Sequence, residues 1–335
     1  WVCLVSGYLM LTRRTFVVAG SALAACSAVQ AAKPEAFPSR PLSWVVPYPV
    51  GGFGDSVCRV LAQEMSMSMA QPVVVDNRPG AGGQIAASYV KAQPADGHTL
   101  LFGDIGPLSM NAALYSKLSY DTLVDFVPIS GLLNSSSLLV VAANSPYRSY
   151  QALLEQARSS VDGMTYGSYG VGSLPHIWSE MMARETKGHF QHIPYKGAAP
   201  ALQDLMGGHI EFMLDIAANS MPYVLEGKLR ALAAVGATER LDKLPQVPTM
   251  AELGYPALNT PGWTGALVRS STPAHIQHRL RLAVVEALHS DAMRRRFEHQ
   301  GVQAAALDAT EFSSWIRFES ERWGDVIRSA GVTLE

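Results

Sequence analysis

Short apolar runs of four to six residues alternate along the chain with stretches whose apolar positions recur every three or four residues. After residue 35 the first run is Leu42-Ser43-Trp44-Val45-Val46-Pro47, β-prone and closed by a proline, which predicts a buried strand. A glycine loop, Val50-Gly51-Gly52-Phe53-Gly54, follows. Asp55 then opens a helix whose apolar positions are Val57, Val60, Leu61 and Met65. Residues 72–76 predict a second strand, 77–83 a glycine-rich turn, 84–91 a helix and 99–103 a third strand. Strand, loop and helix in repetition predict an α/β domain with a mainly parallel sheet.

A further apolar run covers 138–143 and ends in the turn Asn144-Ser145-Pro146, where a second series starts. It predicts helices at 150–159, 175–184, 200–206 and 221–226, and strands at 164–166, 190–193, 210–214 and 229–235. From about residue 241 the chain ends in two helical stretches, 273–299 and 309–330. No short-period repeat or low-complexity segment interrupts these two series.

The N-terminus follows another rule. Arg13 and Arg14 precede the apolar run 16–25, which leads into the small residues Ser27-Ala28-Val29-Gln30-Ala31-Ala32. A charged start, an apolar core too short to span a bilayer and a small-residue cleavage site make a secretory signal peptide over residues 1–32. Thr12-Arg13-Arg14-Thr15-Phe16 also resembles a twin-arginine export signal. Met10 would place the arginines near a start. Cys26 follows Leu23-Ala24-Ala25, which resembles a lipid-attachment box. The soluble form, cleaved after Ala31, is expected instead, because the Ala-rich stretch continues past Cys26.

Composition sharpens the picture. The 335 residues suffice for two domains with substantial cores, and 48% hydrophobic with 16% charged residues is a globular balance. The formal charge of −2 argues against nucleic acid as a partner. After residue 35 no stretch reaches the roughly 18 apolar residues that a membrane helix needs. Cleavage would leave Cys58 as the sole cysteine, so stability is expected from core packing, with Cys58 a small buried hydrophobe.

The chemistry lies in glycine loops between strands and helices, which place free backbone N–H groups at helix N-termini and so favour anions. Three occur, at 51–56, 77–83 and 167–173, the first with Gly51, Gly52, Gly54, Asp55 and Ser56, the last with Ser168, Gly170, Gly172 and Ser173. No Gly-Lys-Ser/Thr follows any of them, none fits a dinucleotide fingerprint, and Tyr166 stands where a nucleophile elbow needs glycine. The nine histidines show no metal-ligand spacing, and the scattered acids form no general acid/base pair. Neither metal nor cofactor is expected. Arg294-Arg295-Arg296 is expected as a solvated helix face. Three loops at strand ends, split between the two halves of the chain, favour a ligand crevice.

Six segments in order carry a resemblance. Pro47-Tyr48-Pro49-Val50-Gly51-Gly52-Phe53-Gly54-Asp55 with Arg59, the run 74–83, and Asp96-Gly97-His98-Thr99-Leu100-Leu101 resemble signatures of the receptors of tripartite tricarboxylate transporters, often called Bug receptors. Segments 167–176, 194–201 and 244–254 match the later part of that family. The resemblance covers residues 40–335. It implies a type II periplasmic-binding-protein fold, two α/β domains with a ligand cleft between them that closes like a flytrap. Domain 1 would combine 33–138 with 240–335, and domain 2 would be 139–239.

The same resemblance implies a monomeric periplasmic receptor that hands a small organic acid or amino acid to membrane transporter subunits and catalyses nothing. A sensor for a membrane signalling kinase and an exported enzyme using the same cleft are the alternatives. Ligand contacts are implied for the loop residues above and for Tyr48, Phe53, Asp104, Ile105, Gly106, Tyr169, His176, Tyr195, Lys196, Gly197 and Asp215. One ligand carboxylate would be held by backbone amides and bridging waters. Phe53 is bulkier than the family's usual residue, and Asp104-Ile105-Gly106 replaces a Ser/Asn-rich stretch, so both bear on ligand identity. Asp215, placed just after the strand at 210–214, is expected either to face the ligand and disfavour a second carboxylate or to cap the next helix.

Export is testable directly. Mass spectrometry of the cell-envelope fraction should find a mature chain starting near Ala32 or Lys33. A lipidated Cys26 would refute the soluble form, and an uncleaved cytoplasmic chain would refute export.

Overall fold

Branched and aromatic residues dominate the strands, and the helices between them carry apolar residues on one face. The computed structural model describes Trp1 and residues 37–334, so the export segment, Cys3 and Cys26 lie outside the described residues. Every element below belongs to the unit Arg40–Glu335. The chain runs β1 (Leu42–Val46), α1 (Phe53–Met69), β2 (Val73–Asn77), α2 (Gln84–Lys91) and β3 (Thr99–Asp104). Two single-turn helices, α3 (Asn111–Leu114) and α4 (Thr122–Asp125), precede β4 (Phe126–Ser135). The second series is β5 (Ser137–Ala142), α5 (Tyr150–Ser159), β6 (Met164–Ser168), α6 (Leu174–Thr186), β7 (Phe190–Pro194), α7 (Ala198–Gly207), β8 (Phe212–Ile216), α8 (Ala217–Leu225) and β9 (Leu229–Val235). Then come β10 (Gly262–Arg269), α9 (Ala274–Leu288), α10 (Asp291–Phe297), β11 (Val302–Ala304) and α11 (Ala309–Ala330).

Two sheets form. One has the order β11-β4-β10-β3-β1-β2, the other β7-β6-β8-β5-β9. The expected mainly parallel sheet is corrected to two mixed ones. β1 pairs in parallel with β2 and β3, and β6 with β7 and β8. β10 and β5 run antiparallel to their neighbours. The reversal follows from the way the chain changes sheets. Ser136 alone separates β4 from β5, so one strand leaves the first sheet and enters the second with almost no connection. Its N–H donates to the Gly301 carbonyl (2.7 Å) and its own carbonyl accepts from Ala217 N (2.9 Å). The return passes beside it. Ser137 pairs with Val235 at the end of β9, and Ser135 pairs with Gly262 at the start of β10. A Cβ on Gly236 would lie 2.3 Å from Pro261 Cα, so glycine (φ +72°) is required where these segments touch.

Strand periodicity sorts the core of the second sheet. Leu139, Val141, Tyr166, Phe212 and Leu214 pack with α5 and α6 on one face, while Leu138, Val140, Met213 and Ala234 pack with Leu202, Leu205 and Met221 on the other. Leu244 and Val247, from the segment after β9, join that second face, and Met250 and Leu258 join the first. In the first sheet Val45, Leu101 and Leu267 pack against Phe312, Ile316 and Trp323 of α11. The helix expected at 273–299 is broken in two, because Ser290 Oγ accepts from Met293 N (3.2 Å) and starts α10 afresh.

β10 depends on a missing side chain. A Cβ at Gly265 would stand 2.0 Å from the Phe312 ring. Gly265→Ala should therefore lower stability by about 1–3 kcal/mol through overpacking, measured by urea unfolding. Phe312→Leu in the same chain should recover part of that loss.

Candidate functional site

The carboxyl ends of the parallel strands of both sheets meet on one cavity of about 420 Å³. Tyr48 follows β1, Asp104 ends β3, Tyr169 follows β6, Lys196 follows β7 and Ile216 ends β8, and all five line it. Of these, all but Ile216 were expected from the sequence, as were Gly51, Gly52, Phe53, Gly54 and Gly197, which line it too. Phe102, Asn219, Tyr223 and Arg296 were not anticipated there. Phe53 packs edge-on against Phe297 (ring centroids 5.7 Å) and is 8% exposed, so its bulk shapes one wall.

Three helices begin at this cavity, α1 after Gly52, α7 after Gly197 and α8 after Ile216, and none has a side chain capping its first turn. Elsewhere α5, α10 and α11 are capped by Ser149, Ser290 and Asp308, while α2, α6 and α9 also lack a side-chain cap, so it is the convergence on one cavity that sets these three apart. Uncapped ends present the positive pole of the helix dipole, a setting that favours an anion, although in α8 the Ala217 amide is already taken by Ser136 O (2.9 Å). Of the three glycine loops noted in the sequence, 51–56 lies at the cavity, whereas 77–83 and the glycines of 167–173 do not.

Asp55 and Ser56 sit behind the first loop. The Ser56 amide makes the first intrahelical bond, to Gly52 O (2.9 Å). Asp55, 2% exposed, accepts from Gly51 N (2.9 Å), Arg59 Nε (3.0 Å) and Asn77 Nδ2 (2.9 Å). Asn77 also donates to Tyr48 O (3.0 Å) and accepts from Arg59 (3.2 Å). Burial alone would raise the Asp55 pKa, but the hydrogen bonds from Arg59, Gly51 and Asn77 outweigh it and hold the carboxyl below its ordinary range. Asp55 thus braces the loop and does not line the cavity.

The loop at 167–173 is bonded to itself. Ser168 Oγ accepts from Gly170 N (3.1 Å) and lies 2.6 Å from His192 Nε2. Ser173 Oγ donates to Gly170 O (2.7 Å), and Gly172 N donates to His176 Nδ1 (3.0 Å). None of Ser168, Gly170, Gly172, Ser173 or His176 lines the cavity; their polar groups bond within the loop or to His192. Tyr195 also stands outside the lining and donates to Asp204 (2.7 Å) at the back of α7. Ile105 is buried in the core below Asp104, and Gly106 supports that carboxylate.

Asp215 fulfils neither expectation. It lies inside β8, opposite Leu138, and is wholly buried. Its Oδ1 accepts from Tyr169 Oη and from Asn219 Nδ2 (3.2 Å), and Tyr169 Oη in turn accepts from Ile216 N (3.0 Å). Ile216, not Asp215, is the N-cap of α8. Burial pushes the Asp215 pKa up to about 6, against hydrogen bonds from Tyr169 and Asn219 that lower it. Asp215 acts one layer back, fixing two residues that line the cavity. The sequence ended this strand at Leu214, and that put Asp215 in a loop.

Asp104 does line the cavity. Its Oδ1 accepts from Tyr48 Oη (2.9 Å) and Gly106 N (3.1 Å), and burial pushes its pKa up to about 6. Among the described residues no group of three or more His, Cys, Asp or Glu could hold a metal, and no helix is long and apolar enough to cross a membrane.

The family model described as "Tripartite tricarboxylate transporter family receptor" matches residues 57–332. The protein BugT of Bordetella pertussis is 34% identical over 96% of this chain and 99% of its own. Among solved structures, MatC from Rhodopseudomonas palustris, with bound malate, is 32% identical, covers 87% of this chain and 100% of its own, and superposes with a TM-score of 0.81. A second R. palustris protein, with adipate, is 32% identical over 89% of this chain and 99% of its own, with a TM-score of 0.83.

The Asp55 brace sets a pH dependence. A carboxyl whose pKa is lowered on folding adds stability above its unfolded pKa of about 3.9, and that stability is lost as pH falls through the folded pKa. Asp55→Asn should lower stability at pH 7 by about 1–3 kcal/mol. Between pH 5 and pH 2 the variant should lose less stability than the wild type, measured by urea unfolding across that range.

Proposed function

The chain belongs to the receptor family of the tripartite tricarboxylate transporters, and from that premise we propose that it captures one small organic acid in this cavity for transfer to membrane transporter subunits. The carrying observation is the convergence of three uncapped helix N-termini on one cavity lined by Lys196 and Arg296. Such a wall binds a carboxylate with backbone dipoles and needs no dedicated arginine clamp. Two relatives of the same fold were solved with malate and with adipate, which supports an acid of comparable size. The reading is of a binding protein, as the family of receptors to which the chain belongs supports.

The working unit is a monomeric periplasmic receptor. Its two lobes are 33–138 with 240–335 and 139–239, each built on one sheet. The core side chains of Leu244, Val247, Met250 and Leu258 favour counting that part of the return segment with the second lobe. The lobes close on the ligand by bending where Ser136 joins β4 to β5 and where the chain passes through Pro261 into β10, the two points at which it crosses between the sheets.

Gly52 offers a clean test. Its φ is −77°, and an added Cβ would meet only Pro49 O, at 3.6 Å, so a larger side chain fits the fold but enters the anion site. A thermal-shift screen of organic acids on the wild type should find one that stabilises by about 2.7 kcal/mol at 100 times its dissociation constant. Gly52→Val should keep the fold and weaken that acid at least tenfold by calorimetry. Full affinity in the variant would place the site elsewhere.

A further inference from the structure

The cavity carries an acid as well as its anion-favouring helix ends. Asp104 stands at the end of β3, partly buried, with two hydrogen bonds that both go to Oδ1. Oδ2 accepts none from the described residues, and no Lys, Arg or His nitrogen among them lies within 4.0 Å of the carboxylate. Tyr48 and Gly106 therefore fix its orientation without compensating its charge. The two cations of the cavity, Lys196 and Arg296, likewise form no ion pair among the described residues. A cavity with one uncompensated acid and two uncompensated bases is complementary to a molecule bearing both signs of charge.

Resting on the reading of the cavity as an organic-acid site, we propose that Asp104 is a specificity-determining residue that makes the receptor prefer acids carrying an ammonium group over the same acids without one. The helix N-termini and the two cations take the ligand carboxylate; Asp104 Oδ2 takes the ammonium. A carboxylate removed from water without a partner is costly, and a ligand cation removes that cost, whereas a second ligand carboxylate in its place adds repulsion. Burial, which already raises the affinity of Asp104 for a proton, acts in the same sense: it disfavours this carboxylate as a bare charge. Asp215 cannot perform this selection, because it is sealed behind Tyr169 and Asn219.

The experiment is calorimetry on the mature receptor at pH 8 with matched pairs of acids: L-glutamate and glutarate, L-aspartate and succinate, 6-aminohexanoate and hexanoate. In at least one pair the amine-bearing member should bind the wild type tenfold or more tightly than its partner. Asp104→Asn, nearly the same shape, should reduce that ratio at least tenfold, chiefly by weakening the amine-bearing acid. Equal or tighter binding of the amine-free member in every pair that binds overturns the proposal on the wild type alone, whether or not the variant folds. A ratio unchanged in a folded Asp104→Asn overturns it as well. Binding of acids with no amine preference defeats only this inference. Failure of every acid to bind, with the screen above also blank, defeats the organic-acid reading and this inference with it.

Discussion

The passage of the chain between its two sheets through a single residue, Ser136, is the constraint on which the rest of the structure depends. With β4 and β5 joined so tightly, the sheets cannot be placed independently. The return strand has to run alongside, and it does so with Gly236 pressed against Pro261. The backbone at Ser136 is held from both sides, by Gly301 and by Ala217. Ala217 is the first residue of α8, so the crossing also fixes the start of a helix that lines the cavity. Fold and site are linked at this point. The crossing brings together the carboxyl ends of both sets of parallel strands, and the helices that follow those strands then begin at the cavity.

Three acids show how such a site divides labour. Asp55 and Asp215 are buried, hydrogen-bonded and turned to internal use, one bracing the first glycine loop and the other locking Tyr169 and Asn219. A hydrogen-bonded buried carboxylate rigidifies the groups that donate to it, and a rigid wall loses less entropy when a ligand binds. Asp104 differs because its carboxylate lines the cavity, whereas Asp215, whose Oδ2 likewise has no partner among the described residues, is sealed in the core. Sequence alone gives these three aspartates the same standing. Their roles separate only when burial and partners are known.

How much was legible in the sequence depended on the residue types at each element. The helices at 84–91, 150–159 and 309–330 and the strand at 229–235 are visible because their apolar periodicity is uninterrupted and their ends carry turn residues. β4 and β10 were missed. β4 contains Pro128 and Gly131, and β10 contains Gly262 and Gly265, residues that ordinarily mark turns. Here the glycines answer to packing, Gly265 against Phe312 and Gly262 against Ser135. The start of α8 was placed four residues late because Pro222 reads as a helix opener, yet it lies within the helix. Ile216, Ala218 and Asn219 were therefore overlooked as cavity residues. The glycine loop at 167–173 misled in the opposite direction, since its spacing suits an anion while its groups are already engaged.

The electrostatics of the cavity follow from what lies beneath that loop. His176 and His192 stack at 4.0 Å, nearly parallel, with Tyr166 stacked on His192. Two imidazoles so close cannot both be charged at modest cost. Burial lowers both pKa values, that of His192 to about 4 with His176 as a second cause. The pair is neutral at physiological pH and adds no field of its own. The net charges that line the cavity are then those of Asp104, Lys196 and Arg296, set against the dipoles of three helix ends. A binding wall with so few charges reads a ligand by where its own charges fall. A carboxylate is accepted wherever the helix ends point, and the remainder of the molecule is judged by whether it brings the positive group that Asp104 lacks.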